Sequence, residues 1–162
     1  MRPRHPNSES SGPGPDVLIV GPYPPPHGGV SAHVERLSAA LADRGLRVAV
    51  LDHFAGRGPN PPVVGALHRN PVRYWLALHT RTAPVVHYHH ARLSTLVATA
   101  LTRSRHGRSA YVVTVHGRGI ERQLTRRIAG GLARWALRRF DEVIAVSAEI
   151  GRSLELNVGR PV

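Results

Sequence analysis

Residues 17–52, VLIVGPYPPPHGGVSAHVERLSAALADRGLRVAVLD, read as strand, glycine loop, amphipathic helix and second strand, and that order decides the fold. Residues 17–20 are an unbroken apolar run, the composition of a parallel strand buried on both faces, and Gly21 with the prolines after it ends the run. From Val30 the apolar positions Val34, Leu37 and Leu41 fall at helical spacing, Gly45 stops the helix, and residues 47–51 return as a second strand. Gly28 and Gly29 stand where the helix begins. A glycine pair there can bring bare backbone N–H groups against a phosphate, because no Cβ blocks the approach and the helix dipole favours an anion.

Two common phosphate loops do not fit. A P-loop needs a lysine that reaches the β- and γ-phosphates, and this chain has none, its basic side chains being 22 arginines and 11 histidines. The dinucleotide fingerprint wants G-x-G-x-x-G directly after the strand, whereas Gly21 is followed by Pro22, Tyr23, Pro24, Pro25, Pro26 and His27 before the glycine pair. Asp52, closing the second strand, stands where an acid would hold a ribose, so an NAD-type Rossmann protein stays open as an alternative.

At 162 residues the chain suits one α/β domain, over residues 16–162, behind a Pro-, Ser- and Gly-rich leader at residues 1–15 whose composition is that of disorder. The net charge of +12 invites nucleic acid, but the arginines are spread from Arg2 to Arg160 with few aromatics between them, unlike a stacking platform. The bias toward Arg, Ala, Gly and Pro without lysine is that of a GC-rich coding sequence, and no nucleic-acid partner is expected. With no cysteine there is no disulfide framework, thiolate metal site or cysteine nucleophile, which is compatible with a cytoplasmic location. No apolar run approaches ~20 residues and the start lacks a signal-peptide core.

Farther along, residues 63–67 hold a short third strand or none, and Asn70 with Pro71 starts a helix carrying Val72, Trp75, Leu76 and His79. Strands are expected after Pro84, over residues 111–115 and over residues 143–146, with helices over residues 93–103 and 148–158, the last capped by Ser147. Ile120, Leu124, Ile128, Leu132 and Trp135 repeat at spacings of four and three, predicting one long helix with arginines on its other side and Gly130 and Gly131 as places to bend. Alternating strands and helices imply a Rossmann-like parallel sheet with helices on both faces, and its ligands belong at the carboxyl ends of the strands. That rule selects the loop over residues 21–29, His89 with His90, His116 with Gly117 and Arg118, and Ser147.

The order PYPPPHGGV followed by SAHVERLSAALADRGLRVAV resembles the opening of glycosyltransferase family 4, the retaining enzymes of the two-domain GT-B fold. VVHYHH at residues 85–90, VVTVHG at residues 112–117 and DEVIAVSAEI at residues 141–150 are similar to later strand ends of the same N-terminal domain, in the right order. The resemblance implies transfer of a hexose from a nucleotide diphosphate sugar to an acceptor hydroxyl with retention. It implies Gly28 and Gly29 at the donor diphosphate and His116 facing acceptor and sugar. No cofactor or divalent ion is implied beyond the donor. Tyr23, His89, His90, Gly117 and Arg118 are the acceptor-side candidates: Arg118 offers a planar fork for a phosphate or carboxylate. His87, His89 and His90 suggest a metal, the first two sharing a strand face, but no nearby carboxylate or cysteine completes a tetrahedron, so no metal is expected.

The nucleotide-sugar half of such an enzyme is not in these residues, so a C-terminal glycosyltransferase domain is expected in cis or in trans. A non-catalytic half-enzyme is the competing reading. A glycan, lipid-linked or small-molecule acceptor is implied; the Arg- and Trp-bearing helix that begins at Asn70 leaves two readings open, Trp75 covering core, which is favoured, and contact at the inner face of the membrane.

Overall fold

The computed structural model describes residues 14–25, 28–52, 63–66, 71–81, 83–89, 92–103, 107–117, 119–159 and 161–162. The leader expected over residues 1–15 lies almost wholly outside them. The elements run β1 (Val17–Gly21), α1 (Gly29–Ala42), β2 (Val48–Asp52), β3 (Val63–Ala66), α2 (Pro71–Thr80), β4 (Val85–His89), α3 (Leu93–Arg103), β5 (Ala110–Val115), α4 (Gly119–Leu124), α5 (Arg127–Leu137), β6 (Glu142–Ala145) and α6 (Ala148–Val158). They form an α/β Rossmann-like fold around a six-stranded sheet of order β3-β2-β1-β4-β5-β6, every pairing parallel.

Strand alternation divides the core in two. Leu18, Val20, Ala49, Leu51, Val86, Tyr88 and Val113 face the helices that follow β3. Val17, Ile19, Val48 and Val50 face the other way, where Val34 of α1 seals them. His87 and His89 therefore stand on the α1 side of β4, as the alternation predicts. A register shift between Val50 and Leu51 accommodates β3, the strand that the sequence left undecided.

The long helix expected across residues 120–135 is two helices. The chain breaks at Thr125 and Arg126, where Arg126 is extended (φ −84°, ψ 135°), and neither Gly130 nor Gly131 bends it. Gly130 serves close packing instead: a Cβ there would lie 2.4 Å from the Leu124 carbonyl oxygen at the end of α4. The change of direction rotates the apolar stripe. Ile120 and Leu124 are buried, but α5 buries Gly130, Ala133, Ala136 and Leu137 and turns Ile128, 82% exposed, to solvent with Leu132 and Trp135. Small side chains let α5 approach its neighbours closely, so the larger apolar groups are the ones left outside. Among the described residues, no helix is long and apolar enough to cross a membrane.

Candidate functional site

The sheet order reverses between β1 and β4: the chain runs outward from β1 through β2 to β3, returns to β4, and runs outward again to β6. Loops leaving two neighbouring strands in opposite directions open a crevice at their carboxyl ends. Gly21 closes β1 there and His89 closes β4. A Cβ at Gly21 would lie 3.0 Å from His89 Cβ and 3.3 Å from Val34 Cγ2, so the missing side chain is what lets α1 settle against both strand ends.

Gly28 caps α1 in extended backbone, and its N–H donates to Ser31 Oγ at 2.8 Å while the same hydroxyl donates to the Gly28 carbonyl at 3.0 Å. This brace holds the helix entry from within its first turn. Among the described residues, a Cβ at Gly29 would meet nothing within 4 Å, and one at Gly28 only the Ser31 hydroxyl at 3.9 Å. The pair thus faces open space at the positive end of a helix whose first turn carries no acidic residue.

One turn into α1, on the face shared with Gly29, stands His33. Its ring centroid lies 4.9 Å from that of His116 and 5.4 Å from that of His89. His89 Nδ1 and His116 Nε2 share a hydrogen bond of 2.8 Å, so one ring donates and the other accepts. Behind them His87 stacks on His89 at 4.5 Å and is fixed through Nε2 to the Thr114 hydroxyl at 2.8 Å. Burial lowers the His87 pKa to about 4, helped by the nearby rings of His33 and His116, so His87 is neutral at pH 7. The crevice floor is a stack of imidazoles graded from buried to open: His89 is fully buried, His116 half-buried and His33 exposed.

Of the residues expected at a site, the structure brings together Gly28, Gly29, His89 and His116. Gly117 follows His116, half-buried, with none of the described residues beyond its chain neighbours within 4 Å of where a Cβ would be. His90 and Arg118 lie outside the described residues. Tyr23 departs from the expected acceptor wall: it is 4% exposed and packs with Val17, Ile19 and Val34, its hydroxyl beside Ser38 of α1. Burial raises its phenol pKa above the ordinary value, with Glu35 adding to the shift. The Tyr23 N–H donates to Asp52 Oδ1 at 2.9 Å, and Asp52 is fully buried, so the acid that a dinucleotide reading would give to a ribose anchors the proline loop instead. Ser147 caps α6 as expected, its Oγ accepting from the Ile150 N–H at 3.3 Å. His33 is the residue that sequence reasoning missed, although its place four residues after Gly29 on one helix face was available as a signal.

A family model described as Glycosyltransferase Family 4 matches residues 27–161. The chain belongs to glycosyltransferase family 4. No curated protein matches it. The matched stretch of this family 4 domain begins at His27, so it takes in the glycine pair, His33, His89 and His116, and leaves β1 and most of the proline loop outside.

Proposed function

We propose that this domain is the acceptor-side half of a retaining glycosyltransferase of the GT-B type, moving a hexose from a nucleotide diphosphate sugar to an acceptor hydroxyl. The observation that carries the reading is that His33, one turn after Gly29 on α1, packs its ring 4.9 Å from that of His116 at the end of β5, so the helix that starts at the glycine pair lies against His116. The glycine amides and helix dipole favour the departing diphosphate, and His116 hydrogen-bonds the acceptor hydroxyl or the sugar. The transfer itself draws on no resident cofactor. Its donor is bound mainly by a C-terminal nucleotide-sugar domain, in cis or in trans, and closure of the two halves excludes water.

Supplying the chain with a family 4 nucleotide-sugar domain and assaying a panel of donors tests this. Transfer is expected with the pair, falling on the order of 10²-fold or more in His116→Ala. Transfer that His116→Ala leaves intact overturns the assignment, and turnover by the chain alone overturns the need for a second half.

The acceptor is proposed to be presented at an anionic membrane surface on the cytoplasmic side. Support comes from an apolar groove lined by Trp75 of α2, Val97 and Leu101 of α3 and Leu132 of α5, and from the exposure of Val72 and Leu76 on the same α2 and of Ile128 and Trp135 on the same α5. Exposed Arg126, Arg127 and Arg138 border α5, adding the charge that suits anionic headgroups.

A further inference from the structure

His33, His89 and His116 come from three elements, α1, β4 and the end of β5, and a ring nitrogen of each lies within 4.8 Å of the others. Stacking alone does not require this, because the His87 ring stacks on His89 while directing its Nε2 to Thr114. In a tetrahedral zinc site with Zn–N near ~2.0–2.1 Å, neighbouring nitrogens stand about 3.4 Å apart. The His89–His116 pair at 2.8 Å needs to open by roughly half an ångström to reach that spacing, and His33, exposed on its helix, closes on them by a side-chain rotation.

We propose that His33, His89 and His116 form a three-imidazole site for a late first-row divalent cation, with Zn²⁺ as the representative ion. Of the two β4 histidines that the sequence offered, only His89 joins this site, and the other donors come from His33 of α1 and His116 at the end of β5. Three neutral nitrogen ligands without a carboxylate select Zn²⁺, Co²⁺ or Ni²⁺ over Mg²⁺ and Ca²⁺, which require oxygen. His89 closes the site on the protein side and His33 on the solvent side, so the fourth position faces the crevice. The His87 stack and its Thr114 hydrogen bond fix the His89 ring as outer groups fix metal-binding imidazoles elsewhere. Binding takes the His116 nitrogen out of its bond to His89, so cation and acceptor compete for His116. That last consequence, and only that one, rests on the transfer reading above.

The test is titration of the full chain with Co²⁺, followed by the visible bands of tetrahedral cobalt and by displacement with Zn²⁺, so that neither donor sugar nor a second domain is needed. One Co²⁺ per chain with tetrahedral bands is expected. His33→Ala and His116→Ala are expected to abolish the bands with unchanged circular dichroism, His87→Gln to weaken binding by roughly 10-fold, and His79→Ala, in the Trp75 stack, to change nothing. His33 is exposed, so His33→Ala keeps the test decisive even where a change at buried His89 unfolds the chain. Octahedral bands, binding that survives His33→Ala, or binding that disappears instead with His90→Ala overturns the proposal. Loss of transfer activity with intact cobalt bands would count against the transfer reading alone.

Discussion

His87 shows how a buried side chain sets conditions for the more open imidazoles packed against it. Its protonated form is disfavoured first by burial and then by the rings of His33 and His116, which brings its pKa from the ordinary 6.5 to about 4. Above pH 6.5 both folded and unfolded chains are neutral at this position and no penalty arises. As pH falls from about 6.5 to 4, the unfolded chain takes up a proton that the folded chain refuses, so stability declines across that window and levels off below it. Urea unfolding in the presence of a chelator is expected to show this limb, and His87→Gln to flatten it; an equal slope in both proteins refutes the account. At this scale much of the site was legible: Gly28, Gly29, His89 and His116 follow strand ends or start a helix, positions that a βα pattern marks. His33 and Tyr23 were not legible for opposite reasons. An exposed histidine beside the stripe of Val34, Leu37 and Leu41 breaks no periodicity, and its neighbours depend on which strand lies next to β1. An aromatic on a proline loop reads as exposed until the loop's hydrogen bond to Asp52 folds it inward.

Among the elements, α4 and α5 carry the clearest lesson. Spacings of four and three across residues 120–135 are the same in one helix or in two, so periodicity alone misses a break at Thr125 and Arg126. The signal that distinguishes them is size, for Gly130, Ala133 and Ala136 are buried while Ile128 is exposed. Gly130→Ala is expected to destabilise by about 1–3 kcal/mol, because its Cβ meets a backbone carbonyl that has no rotamer to yield. Gly131→Ala, with open space around it, is expected to be neutral or to stabilise by up to ~1 kcal/mol, and denaturant midpoints of the two variants compare them directly. The outward stripe on α5 gives a second prediction at this scale. The chain is expected to sediment with phosphatidylglycerol-containing vesicles and to stay in solution with phosphatidylcholine alone, and Ile128→Asp with Trp135→Asp to abolish the difference without changing the fold. Equal sedimentation of wild type and the double variant would remove the membrane surface from the account.

For the molecule as a whole, strand order was legible only in part. Alternating patterns announced a parallel sheet, yet the adjacency of β1 and β4 arises from right-handed crossovers going out and back, which local sequence does not encode. The two faces are also covered unequally: among the described residues, α1 and Tyr23 of the proline loop seal the small core of Val17, Ile19, Val48 and Val50. Ile144 and Val146, 44% and 46% exposed, mark the uncovered margin near β6. Asp52→Ala strands the buried Tyr23 N–H and is expected to cost about 1–3 kcal/mol, read by thermal unfolding of the whole domain.

The seam between β1 and β4 also sets the order of events during folding. Val17 must find Val85, with α1, β2, β3 and α2 all made in between, so the middle of the sheet is its longest-range pairing on the β1 side. Loop closure of that span precedes any reward from the contact, which places the domain among slow folders and leaves the first two strands exposed on the ribosome until the fourth emerges. Because the imidazole cluster lies across this seam, it comes into being only as the chain completes its collapse, and a nascent chain ending before β4 holds His33 alone of its three rings.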